Sequence, residues 1–204
     1  MAKEFSELAS EESINIAKDA LEKNGINVLV VENGQEAKNK VLEMIPQGAE
    51  VMNMSSVTVD SIGLAKEIND SGKFNSVRKR FAEMDAKTQG LEMKKLGAAP
   101  EWAIGSVHAV TENGEVVIAS QTGSQLPAYA YGSNHVVWVV GAQKIVKDLE
   151  EAEKRIYEYV LPLENERAMK AYGKGSNVNK KLVINKEITP DRITMIIIKE
   201  KLGF

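Results

Sequence analysis

The chain has 204 residues, 43% of them hydrophobic and 27% charged, which is the balance of a globular domain large enough to bury a substantial core. A net charge of −3 argues against a surface built for nucleic acid, and no apolar run reaches the length of about eighteen residues that a membrane-spanning helix needs. The chain contains no cysteine, so disulfides, thiolate nucleophiles and cysteine-held zinc or iron–sulfur centres cannot form within it; with only two histidines, no metal site and no resident cofactor are expected.

The first helix is predicted over residues 11–24, where Ile14, Ala17 and Leu21 share a face and Gly25 follows as a C-terminal stop. Residues 26–31 (INVLVV) read as a buried strand. Asn33 can cap a second helix carrying Ala37, Val41 and Ile45, which Pro46 ends. A second strand over 50–54 and a third helix over 58–69 follow. Such alternation of apolar strands and helices implies parallel pairing, with helices on both faces of the sheet. The charged stretch 74–93 reads as helical, with a break near Gly90. Residues 102–111 form one strand in this reading, Asn113 and Gly114 a hairpin turn, and 115–119 the partner strand. A further strand covers 135–140. The stripe of Ile145, Val146, Leu149, Ala152, Ile156 and Tyr159 predicts a helix over 142–160, with Pro162 starting or kinking another piece to about residue 172. A polar, basic loop (173–181) precedes the last two strands, 182–184 and 192–198. No repeat or linker divides the chain, so one domain over residues 1–204 is expected.

Three polar turns directly follow predicted strands: Ser55, Ser56 and Thr58; the loop Ser120, Gln121, Thr122, Gly123, Ser124 and Gln125; and Gly141, Ala142 and Gln143. If these strands are parallel, the turns share one rim, the edge where open α/β sheets bind ligands. Ser56 or Thr58 reads equally as an ordinary N-cap. The hydroxyls of Thr122 and Ser124, the amide of Gln125 and the close approach allowed by Gly123 suit a phosphate, carboxylate or carbonyl oxygen. The same loop also reads as a connection capping a short helix over 126–131. No Walker loop and no dinucleotide-binding glycine motif is present. By the period of two, His108 shares a strand face with Ser106; it reads as a satisfied core or surface residue of the strand, and is also the candidate for proton transfer near neutral pH. Glu112 could orient it or act as a base, but also reads as a solvated hairpin residue. Arg78 or Arg80 could clamp an anion, and Lys170, Lys174, Lys180 and Lys181 make either a solvated loop or an arm that closes over one.

Several segments together resemble the lactate-utilisation (LUD) domain family: GSVHAVTENGEVVIASQTGSQ (105–125), YAYG (129–132), HVVWVVGAQKIVKDLEEA (135–152), LPLENERAM (161–169) and DRITMIIIKEKLGF (191–204). The resemblance implies a fold similar to ribose-5-phosphate isomerase, glucosamine-6-phosphate deaminase and CoA transferases. It also implies a part in oxidising lactate to pyruvate beside iron–sulfur partner subunits. Thr122, Gly123 and Ser124 stand where the family has a Thr-Gly-Thr-like turn, and the turn from Ser55 to Thr58 resembles the family's first polar strand-end loop. Without cysteine, any redox role requires partner chains to carry the electrons.

These readings converge on a single α/β domain with a mostly parallel central sheet, helices on both faces, a β-hairpin and C-terminal strands. Ser55, Ser56, Thr58, Ser106, Thr122, Gly123, Ser124 and Gln125 would bind a small anionic metabolite or a phosphorylated or CoA-like ligand, with His108 or Glu112 moving a proton. The alternatives are a non-catalytic assembly subunit of an oxidoreductase complex and a sugar-phosphate isomerase-like enzyme. The N-terminus lacks the apolar core of a signal peptide, so a cytoplasmic protein is expected, with no nucleic-acid or membrane partner. Homo-oligomerisation is left open.

Overall fold

In the computed structural model, which describes residues 4–204, helix α1 (Glu11–Lys23) begins where the Ser10 hydroxyl accepts from the Ser13 N–H. Its buried stripe is Ile14, Ala17 and Leu21, and Gly25 turns the chain at φ 80°. Strand β1 (Asn27–Val31) leads to α2 (Gly34–Met44), capped by Asn33, and then to β2 (Glu50–Asn53). The helix expected over 58–69 is two, α3 (Val57–Ser61) and α4 (Leu64–Asp70), because Gly63 adopts a left-handed φ of 68° between them. The ambiguous charged stretch resolves into β3 (Asn75–Ser76), α5 (Val77–Ala82) and α6 (Gly90–Ala98).

The strand expected over 102–111 is also two, β4 (Trp102–Gly105) and β5 (Ala109–Thr111), and these lie in different sheets. Next come β6 (Val116–Ser120), β7 (His135–Gly141) and the short β8 (Ile145–Val146). Helix α7 (Leu149–Lys154) starts only at the Asp148 cap, so the helix expected from 142 loses its first turns to β8. Ile145 and Val146 fit a helical stripe, but as β-branched residues they fit a strand equally, and pairing with Val110 and Thr111 decides it. A wide π-helical turn, Arg155–Val160, joins α7 to α8 (Leu161–Tyr172) just before Pro162, whose missing N–H removes the hydrogen bond a tighter turn would use. Strands β9 (Lys180–Ile184) and β10 (Ile193–Ile198) complete the fold.

Six strands in the order β1-β10-β7-β4-β2-β3, all parallel, form the central sheet, and β8-β5-β6-β9 form a second, mixed sheet. The period of two sorts the core. On β10, Ile193, Met195 and Ile197 face α1 and the small sheet, while Ile196 and Ile198 face α2, α3 and α4. Helices thus cover both faces, as expected. A third apolar cluster fills the space between the outer face of the small sheet and the helical segment around Ile156 and Tyr159.

One topological detail creates the site. Strand β4 passes through Ser106, Val107 and His108 into β5, and β7 passes through Ala142, Gln143 and Lys144 into β8. Both chains leave the large sheet at its C-terminal edge and immediately found the small one. Because β6 runs antiparallel to β5, its end at Ser120 returns to that same edge. The turns after β2 and β7 therefore follow strands of one parallel sheet, as expected, whereas the turn after β6 reaches that edge from the second, mixed sheet, so the edge is the seam between two sheets.

Candidate functional site

At the seam lies Lys144, 2% exposed, the last residue of a buried 3-10 turn (Ala142–Lys144) that joins β7 to β8. Its Nζ donates to Thr58 Oγ1 (2.9 Å), Ser106 Oγ (3.1 Å) and the Val107 carbonyl (3.2 Å). Among the described residues no carboxylate pairs with it. Burial, and secondarily the charge of Arg155, pushes its pKa down to about 7. The ammonium and the free amine therefore both exist at neutral pH.

Arg155 is fully buried on the π-helical turn. Its Nη1 donates to the His108 carbonyl (2.8 Å), its Nε to the Gln143 carbonyl (3.4 Å), and its guanidinium lies 5.3 Å from the Tyr159 ring centre. Its Nη2 is buried with no hydrogen-bond partner among the described residues, and burial pushes the pKa down to about 10. Again no carboxylate among the described residues faces it.

His108 sits between these two cations rather than within a strand. Its Nδ1 accepts from the Ala119 N–H at 3.1 Å, which leaves the ring proton on Nε2. Burial first, then Lys144 and Arg155, push its pKa down to about 3. The imidazole is therefore neutral at pH 7 and offers a donor there, not a base. Glu112 does not join the group. It lies at the far end of β5, where it accepts from the Ser13 hydroxyl of α1 while the neighbouring Asn113 carbonyl accepts from Asn24.

The remaining rim residues fall into two sets. Thr58 and Ser106 belong to the Lys144 cradle. Ser56 caps α3, accepting from the Val59 N–H (3.3 Å), and Ser55 accepts from Arg78 Nη2 (2.8 Å). Arg78 also donates to the Asn53 carbonyl (2.9 Å), which fixes it at the end of β2. Across from it stands α8: Asp60, its carboxyl raised by burial, feels both Arg78 and Arg167. Arg80 turns away from the rim to pair with Glu50.

The loop after β6 is at the same edge but spends its polar groups on itself. Thr122 Oγ1 donates to Ser124 Oγ (3.2 Å), the Gly123 N–H to Ser120 Oγ (2.9 Å), and Gln125 Nε2 to the Ala119 carbonyl (3.4 Å). Gly123, at φ 84°, leaves room for Lys180, whose Nζ donates to the Thr122 carbonyl (3.0 Å). Lys181 pairs with Glu153 and Lys170 with Glu166.

Sequence reasoning missed Lys144 and Arg155. Both fell inside a stretch read as one regular helix, which hides the strand end that buries the lysine. A signal did exist: Lys144 is the one charged residue between His135 and Val146, in a run whose only other polar residue is Gln143.

The profile of the LUD domain matches residues 14–198. The chain belongs to the LUD domain family. Among solved structures, this LUD domain is similar to a DUF162 family protein from Deinococcus radiodurans, with 10% identity and a TM-score of 0.58 over 94% of this chain and 99% of that one. At that identity the likeness concerns the fold alone. No curated protein matches the chain by sequence.

Proposed function

We propose that this LUD domain holds a small anionic metabolite at the seam, with Lys144 and Arg155 supplying positive charge and Ser106 and His108 supplying neutral donors. The observation that carries this reading is the pair of buried cations that have no carboxylate partner among the described residues. Burying a charge unpaired costs several kcal/mol, and such sites persist where a counter-ion arrives from outside. Ser106 accepts from Lys144 and so keeps its own hydroxyl proton for a ligand oxygen. A carboxylate or phosphate meets these demands. Lys144, near its midpoint at neutral pH, is the group able to exchange a proton, a role the sequence assigned to His108 or Glu112.

In keeping with the family, the ligand would belong to lactate-utilisation-type metabolism. The domain would hold the metabolite while iron–sulfur partner subunits carry electrons that this cysteine-free chain has no means to carry. Isothermal titration with lactate, pyruvate, inorganic phosphate, a sugar phosphate and CoA tests the binding. One of these should bind wild type and lose about tenfold or more with Lys144→Met, whereas Thr122→Val/Ser124→Ala should change affinity by less than about threefold. Silence across the panel, or a Lys144→Met protein that binds as wild type does, would reject the site. Anaerobic affinity capture from native lysate tests the partners, and recovery of no cluster-bearing chain would count against them.

A further inference from the structure

The segment that follows β10 packs against Thr58 and Gln143, beside Lys144. Lys199 is tied to Glu11 (2.9 Å) and Glu32 (3.0 Å), and the Glu200 carboxylate accepts from the Gly34 N–H (2.9 Å), so the start of the segment is fixed. Beyond the exposed Lys201 the attachments change in kind. The Leu202 carbonyl accepts from Gln143 Nε2 (2.9 Å) and from Thr58 Oγ1 (3.1 Å), and the Gly203 carbonyl accepts from Gln143 Nε2 (3.4 Å). Thr58 Oγ1 is the same atom that accepts from Lys144. Gly203 sits at φ 66°, so close that a Cβ there would lie 2.3 Å from Thr58 Oγ1. Leu202 packs beside the cluster over α2 to α4, and Phe204 packs beside the cluster around Tyr159.

We infer that residues 201–204 form a strap that occupies ligand-facing donors with its own carbonyl oxygens and must lift before an anion reaches Lys144. This rests on reading Lys144 as the binding site. The strap is neutral where it touches the donors, so it satisfies Thr58 and Gln143 but supplies no counter-charge to Lys144 or Arg155. An anion offers oxygens for the same donors and charge as well, so it competes with the strap on favourable terms. Access to the site is then set by the balance between strapped and lifted states.

The test reads Lys144 directly and needs no ligand. Acetic anhydride labelling followed by peptide mass mapping gives the rate at which Lys144 is modified, with the exposed Lys174 as the internal standard whose rate should be the same in wild type and variant. In Gly203→Ala, where both the left-handed backbone and the contact with Thr58 oppose a methyl group, Lys144 should label at least about tenfold faster while Trp138 fluorescence stays native. Phe204→Asp removes the other anchor and carries the same expectation, should Gly203→Ala not fold. An unchanged Lys144 rate in the folded variant overturns the strap. Titration with the same anion panel separates the two ideas. Faster labelling without any anion binding leaves the strap and removes the site, and anion binding with unchanged labelling does the reverse.

Discussion

Replacing Lys144 with methionine should stabilise the protein near neutral pH, and the gain should fade as the solution becomes alkaline. In the unfolded chain the lysine titrates at about 10.5, whereas in the folded protein burial brings it down to about 7. Between those values the unfolded state holds more protons than the folded one, so the lysine's contribution to stability improves as pH rises, by up to about 1.4 kcal/mol per pH unit. From about pH 6.5 to about pH 9.5 that amounts to roughly 3 kcal/mol, all of it absent from Lys144→Met. Other groups titrate over this range too, but they are common to both proteins and cancel in the difference. Methionine fills similar space, while Thr58 and Ser106 can turn their hydroxyls elsewhere; the Val107 carbonyl loses its donor, which sets a small constant offset. Urea unfolding followed by fluorescence is well suited, because Trp102 and Trp138 are 7% and 0% exposed. Parallel stability curves for the two proteins across this pH range would refute the claim that a buried lysine is held partly deprotonated.

Two further expectations follow from buried groups elsewhere. His108, held neutral with a pKa near 3, should show imidazole resonances unchanged between about pH 8 and about pH 5, and stability should fall as pH drops below the unfolded value of about 6.5; a titration midpoint near 6.5 in the folded protein would contradict this. Arg192→Met should lower the unfolding free energy by about 3 kcal/mol, because Glu187 (3.0 Å away) and the Tyr129 carbonyl (2.7 Å) would both lose a buried donor; a thermal melt within about 2 °C of wild type would rule out a structural role for this pair.

The sequence made the central sheet legible because its strands obey simple patterns. Residues 26–31, 50–54, 135–140 and 192–198 are short apolar runs bounded by turn residues, and each became a parallel strand close to those limits. The seam was not legible. Between Gly105 and Ala109 the residue pattern continues as if one strand ran on, and only the long-range pairing of Val110 with Ile145 moves β5 into another sheet. The same pairing converts Ile145 and Val146 from helix to strand, and that misreading concealed Lys144. The placing of polar turns at strand ends was sound. Which hydroxyls face a buried cation and which, like those of Thr122 and Ser124, bond to each other depends on tertiary contacts that no local pattern records.

The residues that bridge the two sheets have almost no latitude. Residues 106–108 and 142–144 each complete one strand and begin another, so inserting or deleting a residue in either would shift the register of both sheets at once. A changed side chain in the same segments disturbs only its own contacts and leaves both registers as they are. Such a junction tolerates substitution far better than a change in length, because only the latter moves two sheets together.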